Sequence, residues 1–593
     1  MKLSDYVIDC LVREGVSHVF ELIGGAITHL VDSVYSRNDI QCVPVHHEQS
    51  AAFAAEAYAR VNGNLGVAMA TSGPGALNLV TGIGSCYFDS VPCLFITGQV
   101  NTYEYKHEKA VRQLGFQETD IVSVVKPLTK YAEMVTDPEK IRYHLEKAIY
   151  LARSGRPGPV LLDIPMNIQR AGIDPAKLTG YLGSGEFKRV HTAGQSENAV
   201  AVIDKVIGLM EKAERPVILA GGGCRTARAT EDLSLLAERT GIPVVTSLMG
   251  LDAIPHDQPA FFGMIGAYGN RYSNLTLANC DFLLILGSRL DTRQTGTRPD
   301  TFARAAKKVQ VDIDPLELNE KVRVDLAINC DLKEFLTALN GRLKGWVKPD
   351  LSAWYRVIKG YREKYPPFTR QNQDEQMDPN RFMDLLSLYC AGGDIICLDV
   401  GQHQMWAGQS FRIKKDQRML ISGGMGAMGF ALPAALGAAM AAPGRKVIVI
   451  AGDGGMQINI QELDTIASHF LPVKIFVINN RCLGLVRQFQ DMYFGGRRQS
   501  TVIGYNCPNF GKLATAYGIP CYTITSLSGA GELIEEAIQT EGPALIEVKL
   551  DQTTCVNPKL VVNRPIEDMS PHLDRLDLQN IMVIDPAKEE ESP

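Results

Sequence analysis

Short apolar runs rich in Val, Ile and Leu punctuate this chain from end to end, and between them apolar residues return every three or four positions. The runs read as strands buried on both faces, the intervals as amphipathic helices. Their alternation predicts βαβ units and an α/β fold with parallel sheets. The pattern falls into blocks. The first, residues 1–180, has candidate strands near 17–21, 40–45, 65–70, 91–97 and 159–164. The second, 193–345, has them in RPVILAGGG, IPVVTS, DFLLILGS and KVQVDIDP. The third, 375–552, has DIICLDVG, RMLIS, KVIVIAGDGG, PVKIFVINN and ALIEVKL. A chain of 593 residues exceeds what one core organises, so each block is read as a domain. The polar stretch YLGSGEFKRVHTAGQSEN separates the first two, and the charged WYRVIKGYREKYPPFTRQNQDEQ leads into the third. Residues 553–593 are weakly periodic and end PAKEEESP, which predicts an arm with a frayed acidic end.

Composition narrows the class. A net charge of −6 with no basic stripe argues against nucleic acid as a partner. No apolar run is long enough to span a membrane. The amino terminus, MKLSDYVIDCLVREGV, has the pattern of an amphipathic helix and not of a secretory signal. The 13 cysteines are scattered without a CxxC pair, the expectation for free thiols in a reducing, cytoplasmic compartment.

Candidate chemistry begins at KVIVIAGDGG, residues 446–455, where a buried strand ends in a carboxylate, Asp453, among glycines. The following MQINIQELDTIASHF places Met456, Ile460, Leu463, Ile466 or Ala467, and Phe470 on one helical face. Its amino end at the glycines suits an anion. A second buried strand then ends at Asn479 and Asn480, 27 residues after Asp453, the length of one strand–helix–strand crossover. Such a crossover brings both strand ends to the carboxyl edge of the sheet, where α/β folds bind ligands. A carboxylate, an amide carbonyl and the backbone carbonyl of Cys482 would offer Mg²⁺ hard oxygen ligands, completed by phosphate oxygens. Taken singly, Asp453 reads as a helix cap and Asn480 as a turn residue; the crossover spacing favours the pair.

Other glycine turns add to this. GMGAMG, residues 424–429, has the form of a dinucleotide fingerprint, but no acidic residue follows at the required distance. Its glycines are read as allowing a flat ligand close to the backbone. In the first block Glu48 opens a helix, where it complements the dipole. Gly24 and Gly25 in ELIGGAITHL, and Gly73 to Gly75 in TSGPGALNL, make two further strand-to-helix turns at the same sheet edge.

Together these stretches resemble the thiamine-diphosphate-dependent enzymes, and within them the acetohydroxyacid (acetolactate) synthase group. GDG followed by NN is the metal and diphosphate motif, HEQ the glutamate segment. LGFQETDIV, GRPGPVLLDIP, SLMGL, GSRLDTRQTG, VGQHQMWAGQ, SGGMGAMGFALPAA and LGLVRQFQDM extend the resemblance over about residues 1–550. It implies three doubly wound parallel-sheet domains: pyrimidine-binding, central FAD-type and diphosphate-binding. It implies thiamine diphosphate, Mg²⁺ and FAD as cofactors, and a homo-oligomer with active sites at the subunit interface. Glu48 would bond the aminopyrimidine, with Gly24, Gly25, Pro74 and Asn78 nearby. Gln117 and Phe116 would lie beside the reacting centre. Gln402, His403, Gly454, Gly455, Leu483 and Gly484 would surround the diphosphate, and Asp453, Asn480 and Cys482 the metal. Gly424, Gly426 and Met428 would seat the pyrimidine. In the central block Arg156, Gly221, Gly222, Gly223, Ser247, Leu248 and Met249 would contact FAD. So would Gly287, Arg289, Asp312, Ile313, Glu317 and Asp331, with Asp314 in the same stretch.

The departures cluster on the acceptor side. Met166 stands where the family has lysine, Phe489 where it has tryptophan, ELIGG where it has GYPGG, and Thr292 where an aspartate commonly precedes the arginine, here Arg293. The implied activity is decarboxylation of pyruvate and transfer of a two-carbon unit to a second carbonyl compound. The acceptor is a second 2-oxo acid, held by Arg293, or alternatively a keto-sugar nucleotide; simple decarboxylation is the third option.

Overall fold

The structure, a computed structural model, describes residues 1–188, 199–368 and 377–587. Most of the polar joint before residue 199, the RQNQDEQ stretch and the last acidic residues lie outside the described residues. The apolar runs form strands for the reason the pattern indicates: β4 (Cys93–Gln99) and β16 (Val473–Asn479) are buried at every position, so only residues content on both faces of a sheet fit. The amino terminus folds as the expected amphipathic helix, Leu3–Arg13.

Three six-stranded sheets result, each parallel throughout. The first contains β1 (His18–Leu22), β2 (Gln41–Pro44), β3 (Gly66–Ala70), β4, β5 (Tyr131–Met134) and β6 (Val160–Pro165), in the order β2-β1-β3-β4-β6-β5. The second contains β7 (Pro216–Ala220), β8 (Val244–Thr246), β9 (Phe261–Met264), β10 (Phe282–Leu286), β11 (Lys307–Asp312) and β12 (Leu326–Asn329), in the order β12-β11-β10-β7-β8-β9. The third contains β13 (Ile395–Leu398), β14 (Arg418–Ile421), β15 (Val447–Gly452), β16, β17 (Cys521–Ile524) and β18 (Ala544–Lys549), in the order β14-β13-β15-β16-β18-β17. The first and third therefore share one topology. The central sheet has the other doubly wound order, that of the dinucleotide folds. Each sheet has a switch point where the strand order reverses, between β1 and β3, β7 and β10, and β13 and β15, and α/β folds bind ligands at such points.

Four strands of these sheets lie outside the sequence expectation: β5, β9, β12 and β17, every one of them at a sheet edge. Edge strands bond on one side only, and β5, β12 and β17 are largely half-buried, so they lack the continuous apolar run.

Among the helices are α1 (Glu48–Asn62) on the first sheet and α2 (Gln402–Ser410), α3 (Ala431–Ala441), α4 (Asp453–Ile458), α5 (Glu462–Ser468) and α6 (Gly484–Tyr493) on the third. The helix expected over 456–470 is two helices. Asn459 breaks it: its side-chain amide donates to the Gly429 carbonyl (2.9 Å) and to Gln49 (3.1 Å), and its backbone leaves the helical region. Met456, Leu463 and Ile466 are buried as expected, but Phe470 is 63% exposed.

The first and third sheets share one core, because α1 and α3 cross at very short range. Ala51, Ala54 and Ala55 share one buried cluster with Ala434, Ala435 and Ala438, and a Cβ on Gly437 would stand 1.9 Å from the Ala54 carbonyl oxygen. Phe53 and Phe430 meet edge to face at 5.4 Å. The arm crosses the central sheet as a hairpin of β19 (Lys559–Leu560) and β20 (Met569–Ser570), then α7 (Arg575–Ile581). Arg271 donates to the Met569 and Pro571 carbonyls, and Tyr361 to that of Ile581. Among the described residues no helix is long and apolar enough to cross a membrane.

Gly437→Ala should force α1 and α3 apart and destabilise the protein by about 1–3 kcal/mol. Urea unfolding measures this; an unchanged midpoint would show that the crossing is not the close contact described.

Candidate active site

Three neighbouring strand ends of the third sheet build the site. β13 leads into α2, β15 into α4, and β16 into α6. Pairing of Gly452 with Ile478 sets Asp453 and the Asn479–Asn480 turn side by side. Gly452 is the N-cap of α4 and Asp453 its first residue, so the carboxylate does not cap the helix. It is buried, accepts a hydrogen bond from the Tyr505 hydroxyl at 2.7 Å, and has no ion pair among the described residues. Burial pushes its pKa up to about 6, the mark of a carboxylate short of positive charge, which a neighbouring cation would reverse. Among the described residues no group of three or more His, Cys, Asp or Glu side chains converges. A cation at Asp453 must therefore take its other oxygens from Asn480, from backbone such as Cys482, and from a ligand, which is how Mg²⁺ is usually held.

Asn480 is oriented for that role. Its amide nitrogen donates to Gln402 Oε1 at 2.9 Å, and the Gln402 nitrogen donates to Gln488 and to the Thr554 carbonyl, each at 3.1 Å. Both ends of the Gln402 amide are thus engaged within the protein, which makes it the residue that turns the Asn480 carbonyl. Gly484 makes room: a Cβ there would stand 1.9 Å from Gln402 Oε1 and 2.7 Å from the Asn480 nitrogen. Leu483 lies against Gly454, where a Cβ would meet it at 2.6 Å. A Cβ on Gly455 would meet the Asp399 carboxylate at 2.5 Å.

His403, in the first turn of α2, lies against Gly401 and Gly452. It is buried, burial lowers its pKa to about 3, and its Nε2 has no hydrogen-bond partner among the described residues. A neutral imidazole with an orphaned nitrogen at the mouth of the sheet fits a phosphoryl oxygen. Above the turn, Met428 comes within 3.4 Å of where a Gly454 Cβ would stand. Its loop is pinned from below: Asp399 accepts from the backbone N–H groups of Val400, Gly429 and Ala431, and Asp89 from those of Gly423 and Gly424. Gly426 has a φ of +68° and open space where a side chain would be. The surroundings fit a flat ring and a diphosphate bound through a metal.

In the first sheet Glu48 starts α1 and is buried. One oxygen accepts from Asn78 at 2.9 Å, and the other lies 3.0 Å from the Cβ position of Gly75. Pro74 opens the short helix that carries Asn78. Gly73, at φ +63°, abuts Gln117. Gly24 packs on Thr71, Gly25 faces open space, and Phe116 is 85% exposed. Gln49 meets Asn459, and the His46 N–H donates to Glu462, so the start of α1 docks where α4 gives way to α5.

At the central switch point lies a cavity of about 870 Å³. Arg156, Gly222, Gly223, Ser247, Met249, Gly287, Arg289, Asp312, Ile313 and Asp331 line it, as do Asp291 and Gln294, which the sequence did not mark. Its size and its glycine turns fit a nucleotide. Gly221, Leu248 and Glu317 are not among the residues that line it. Gly221 packs on the Gly287 backbone, where a Cβ would stand 2.2 Å from the carbonyl oxygen. Leu248 packs towards the third sheet's core. Glu317, with Asp314, clasps Arg156 at 2.7 and 3.0 Å. Arg289 reaches from the cavity to Gly424, so this site and the first adjoin.

Arg293 is exposed, stands 5.8 Å from the centre of the Tyr268 ring, and has no carboxylate partner among the described residues. Phe489, on α6, packs on Tyr493 with ring centres 4.6 Å apart. Tyr505 and Asn459 were missed from sequence, since neither has a spacing that ties it to Asp453 or Glu48. Asp399 did carry a signal, a carboxylate ending an apolar strand as Asp453 does.

Comparison with known proteins agrees with this geometry. Residues 1–124 match the N-terminal thiamine pyrophosphate binding domain of thiamine pyrophosphate enzymes, 203–339 their central domain, and 399–548 their C-terminal binding domain. The chain is 37% identical to acetolactate synthase 2, chloroplastic, of Nicotiana tabacum, over 96% of its own length and 85% of the tobacco protein's. It is 39% identical to a probable acetolactate synthase large subunit of Methanocaldococcus jannaschii, over 93% and 92% of the two chains.

Gly484→Ala should push Gln402 off Asn480 and weaken divalent-cation binding about 10–100-fold. Calorimetric titration with Mg²⁺ and thiamine diphosphate reads this; affinity within twofold of wild type would show that Gln402 does not orient Asn480.

Proposed function

The chain belongs to the thiamine pyrophosphate enzymes and is acetolactate synthase-like, and from that premise we propose that it joins the two-carbon unit of pyruvate to a second 2-oxo acid held by Arg293. The observation that carries this reading is the convergence of a cation-poor Asp453, an oriented Asn480 and the orphaned His403 Nε2 at three adjacent strand ends. Asp453, Asn480 and the Cys482 carbonyl would hold Mg²⁺. His403 and the N–H groups of Gly454 and Gly455 at the start of α4 would bind the diphosphate, flanked by Leu483 and Gly484. Gly424, Gly426 and Met428 would seat the pyrimidine.

Thiamine diphosphate, when bound, would supply a nucleophilic carbon and an electron sink for decarboxylation. The chain's own residues orient and protect that chemistry. Glu48, buried at a helix start beside Asn78, would hold and exchange a proton at the pyrimidine ring. Gln117, against Gly73, would donate to charge developing at the substrate, and Phe116 would help exclude water. Arg293 would pair the acceptor's carboxylate, an interaction its free fork suits. FAD in the central cavity would act structurally, since the reaction transfers no electrons to it.

The domains are proposed as residues 1–180, 193–345 and 375–552, with an arm from 553. The exposed Phe116 supports a homo-oligomer in which Glu48 and Phe116 serve the neighbouring subunit's cofactor. Unpaired cysteines throughout the described chain support a cytoplasmic setting. A keto-sugar nucleotide acceptor is the second reading; it is favoured by Phe489, smaller than the family's tryptophan and 41% exposed.

Glu48→Gln should lower kcat about 10²–10⁴-fold, and wild-type turnover would remove Glu48 from the mechanism. Arg293→Ala should divert product from the new carbon–carbon bond to acetaldehyde. An unchanged product partition would mean that the arginine does not hold the acceptor.

A further inference from the structure

The arm brings one residue to the acceptor side that neither the motifs nor the mechanism use. β19 runs between α6 and the Arg293 loop: Leu560 N–H donates to the Ala267 carbonyl (2.7 Å), Asn563 N–H to Thr297 (2.8 Å), and Val562 N–H to the Tyr493 hydroxyl (3.2 Å). This course carries Lys559 inward. The residue is 5% exposed, and its Nζ has no hydrogen-bond partner among the described residues. Three rings surround the ammonium, with centres at 5.3 Å (Phe489), 5.7 Å (Tyr268) and 5.9 Å (Tyr493). Arg293 lies over the same Tyr268 ring at 5.8 Å. Two cations thus share one aromatic wall, and neither has a carboxylate within ion-pair distance among the described residues.

A buried ammonium is expensive unless paired, and faces of aromatic rings replace only part of its lost hydration. Lysines buried for structure in this protein are satisfied: Lys474 donates to the carbonyls of Thr540 and Gly542, and Lys130 to those of Ser154 and Arg156. Lys559 differs. Burial, and the nearby charge of Arg293, lower its pKa. An oxyanion between the two cations would relieve both effects.

Resting on the carboligase reading above, we propose that Lys559 is a specificity-determining residue that, together with Arg293, holds an oxyanion of the acceptor against Phe489, Tyr268 and Tyr493. The acceptor class is an anionic carbonyl compound. The oxyanion is the carboxylate of a 2-oxo acid or the phosphate of a phosphorylated aldehyde or ketone; both offer oxygens to the same ammonium.

The test is a competition. Holoenzyme with pyruvate as donor receives equal amounts of propanal and 2-oxobutyrate in one arm, and of propanal and glyceraldehyde 3-phosphate in the other; products are counted by mass spectrometry. Lys559→Met should lower the ratio of anionic to neutral product about tenfold or more in one arm, and Lys559→Arg should restore most of it. The arm that moves identifies the oxyanion as carboxylate or phosphate. A ratio unchanged in both arms overturns the proposal. A structural lysine would lower both products together and lower the melting temperature, whereas Lys559→Met, which removes an unpaired buried charge, should be at least as heat-stable as wild type. Independently of turnover, titration with oxamate and with inorganic phosphate should show an oxyanion affinity that Lys559→Met reduces at least tenfold. That result would stand even if wild type formed no carbon–carbon bond, in which case only the carboligase reading would fall. Oxyanion affinity equal in wild type and variant would overturn the assignment of Lys559.

Discussion

A carboxylate buried in a glycine turn is costly to keep ionised without a paired cation, and among the described residues no basic side chain forms an ion pair with Asp453. The rest of the third sheet is arranged around that deficit. β15 delivers the carboxylate, β16 the Asn480 carbonyl, and β13 the two residues that serve them: Gln402 to orient Asn480, and His403 to offer a nitrogen with no partner among the described residues. Gly484 and Gly454 are small because these groups pass through the space their side chains would fill. Of these groups one buried polar atom, His403 Nε2, has no partner among the described residues, which fits a phosphoryl oxygen.

Close helix packing joins two of the three sheets. The first and third share a topology and join through the α1–α3 crossing, which fixes the start of α1, and hence Glu48, relative to the α4–α5 junction. The central sheet has a different strand order and its own cavity at its own switch point. Arg289 and Gly424 bring the two sites into contact, and the arm ties the acceptor side to α6.

Legibility in the sequence follows physical lines. Strands buried on both faces announce themselves as apolar runs, and all but one were found; the short β9 was missed, as were β5, β12 and β17, half-buried at sheet edges. Asp453 and Asn480 were readable because one crossover separates them, a distance a sequence pattern captures. Gln402 was readable as part of the site, but not as the residue engaged by Asn480, Gln488 and Thr554, because those partners come from distant segments. The break at Asn459 was hidden because its cause is tertiary, a side-chain amide shared by Gly429 and Gln49. Gly221 and Leu248 lie next to cavity residues in sequence, but packing leaves them out of its lining, and Glu317 pairs with Arg156, which does line it. Lys559 sits in a weakly periodic arm, where no spacing marks a binding residue, and only the fold shows its ammonium among three rings.

The most direct measurement of the central claim is mass spectrometry of the products from carbon-labelled pyruvate alone, with thiamine diphosphate and Mg²⁺ added to the full chain. Acetolactate carrying label from two pyruvate molecules is the expected result, since the chain is acetolactate synthase-like and Arg293 is proposed to hold the acceptor. Acetaldehyde with no new carbon–carbon bond would contradict a 2-oxo acid acceptor, and no consumption of pyruvate at all would contradict pyruvate as the donor.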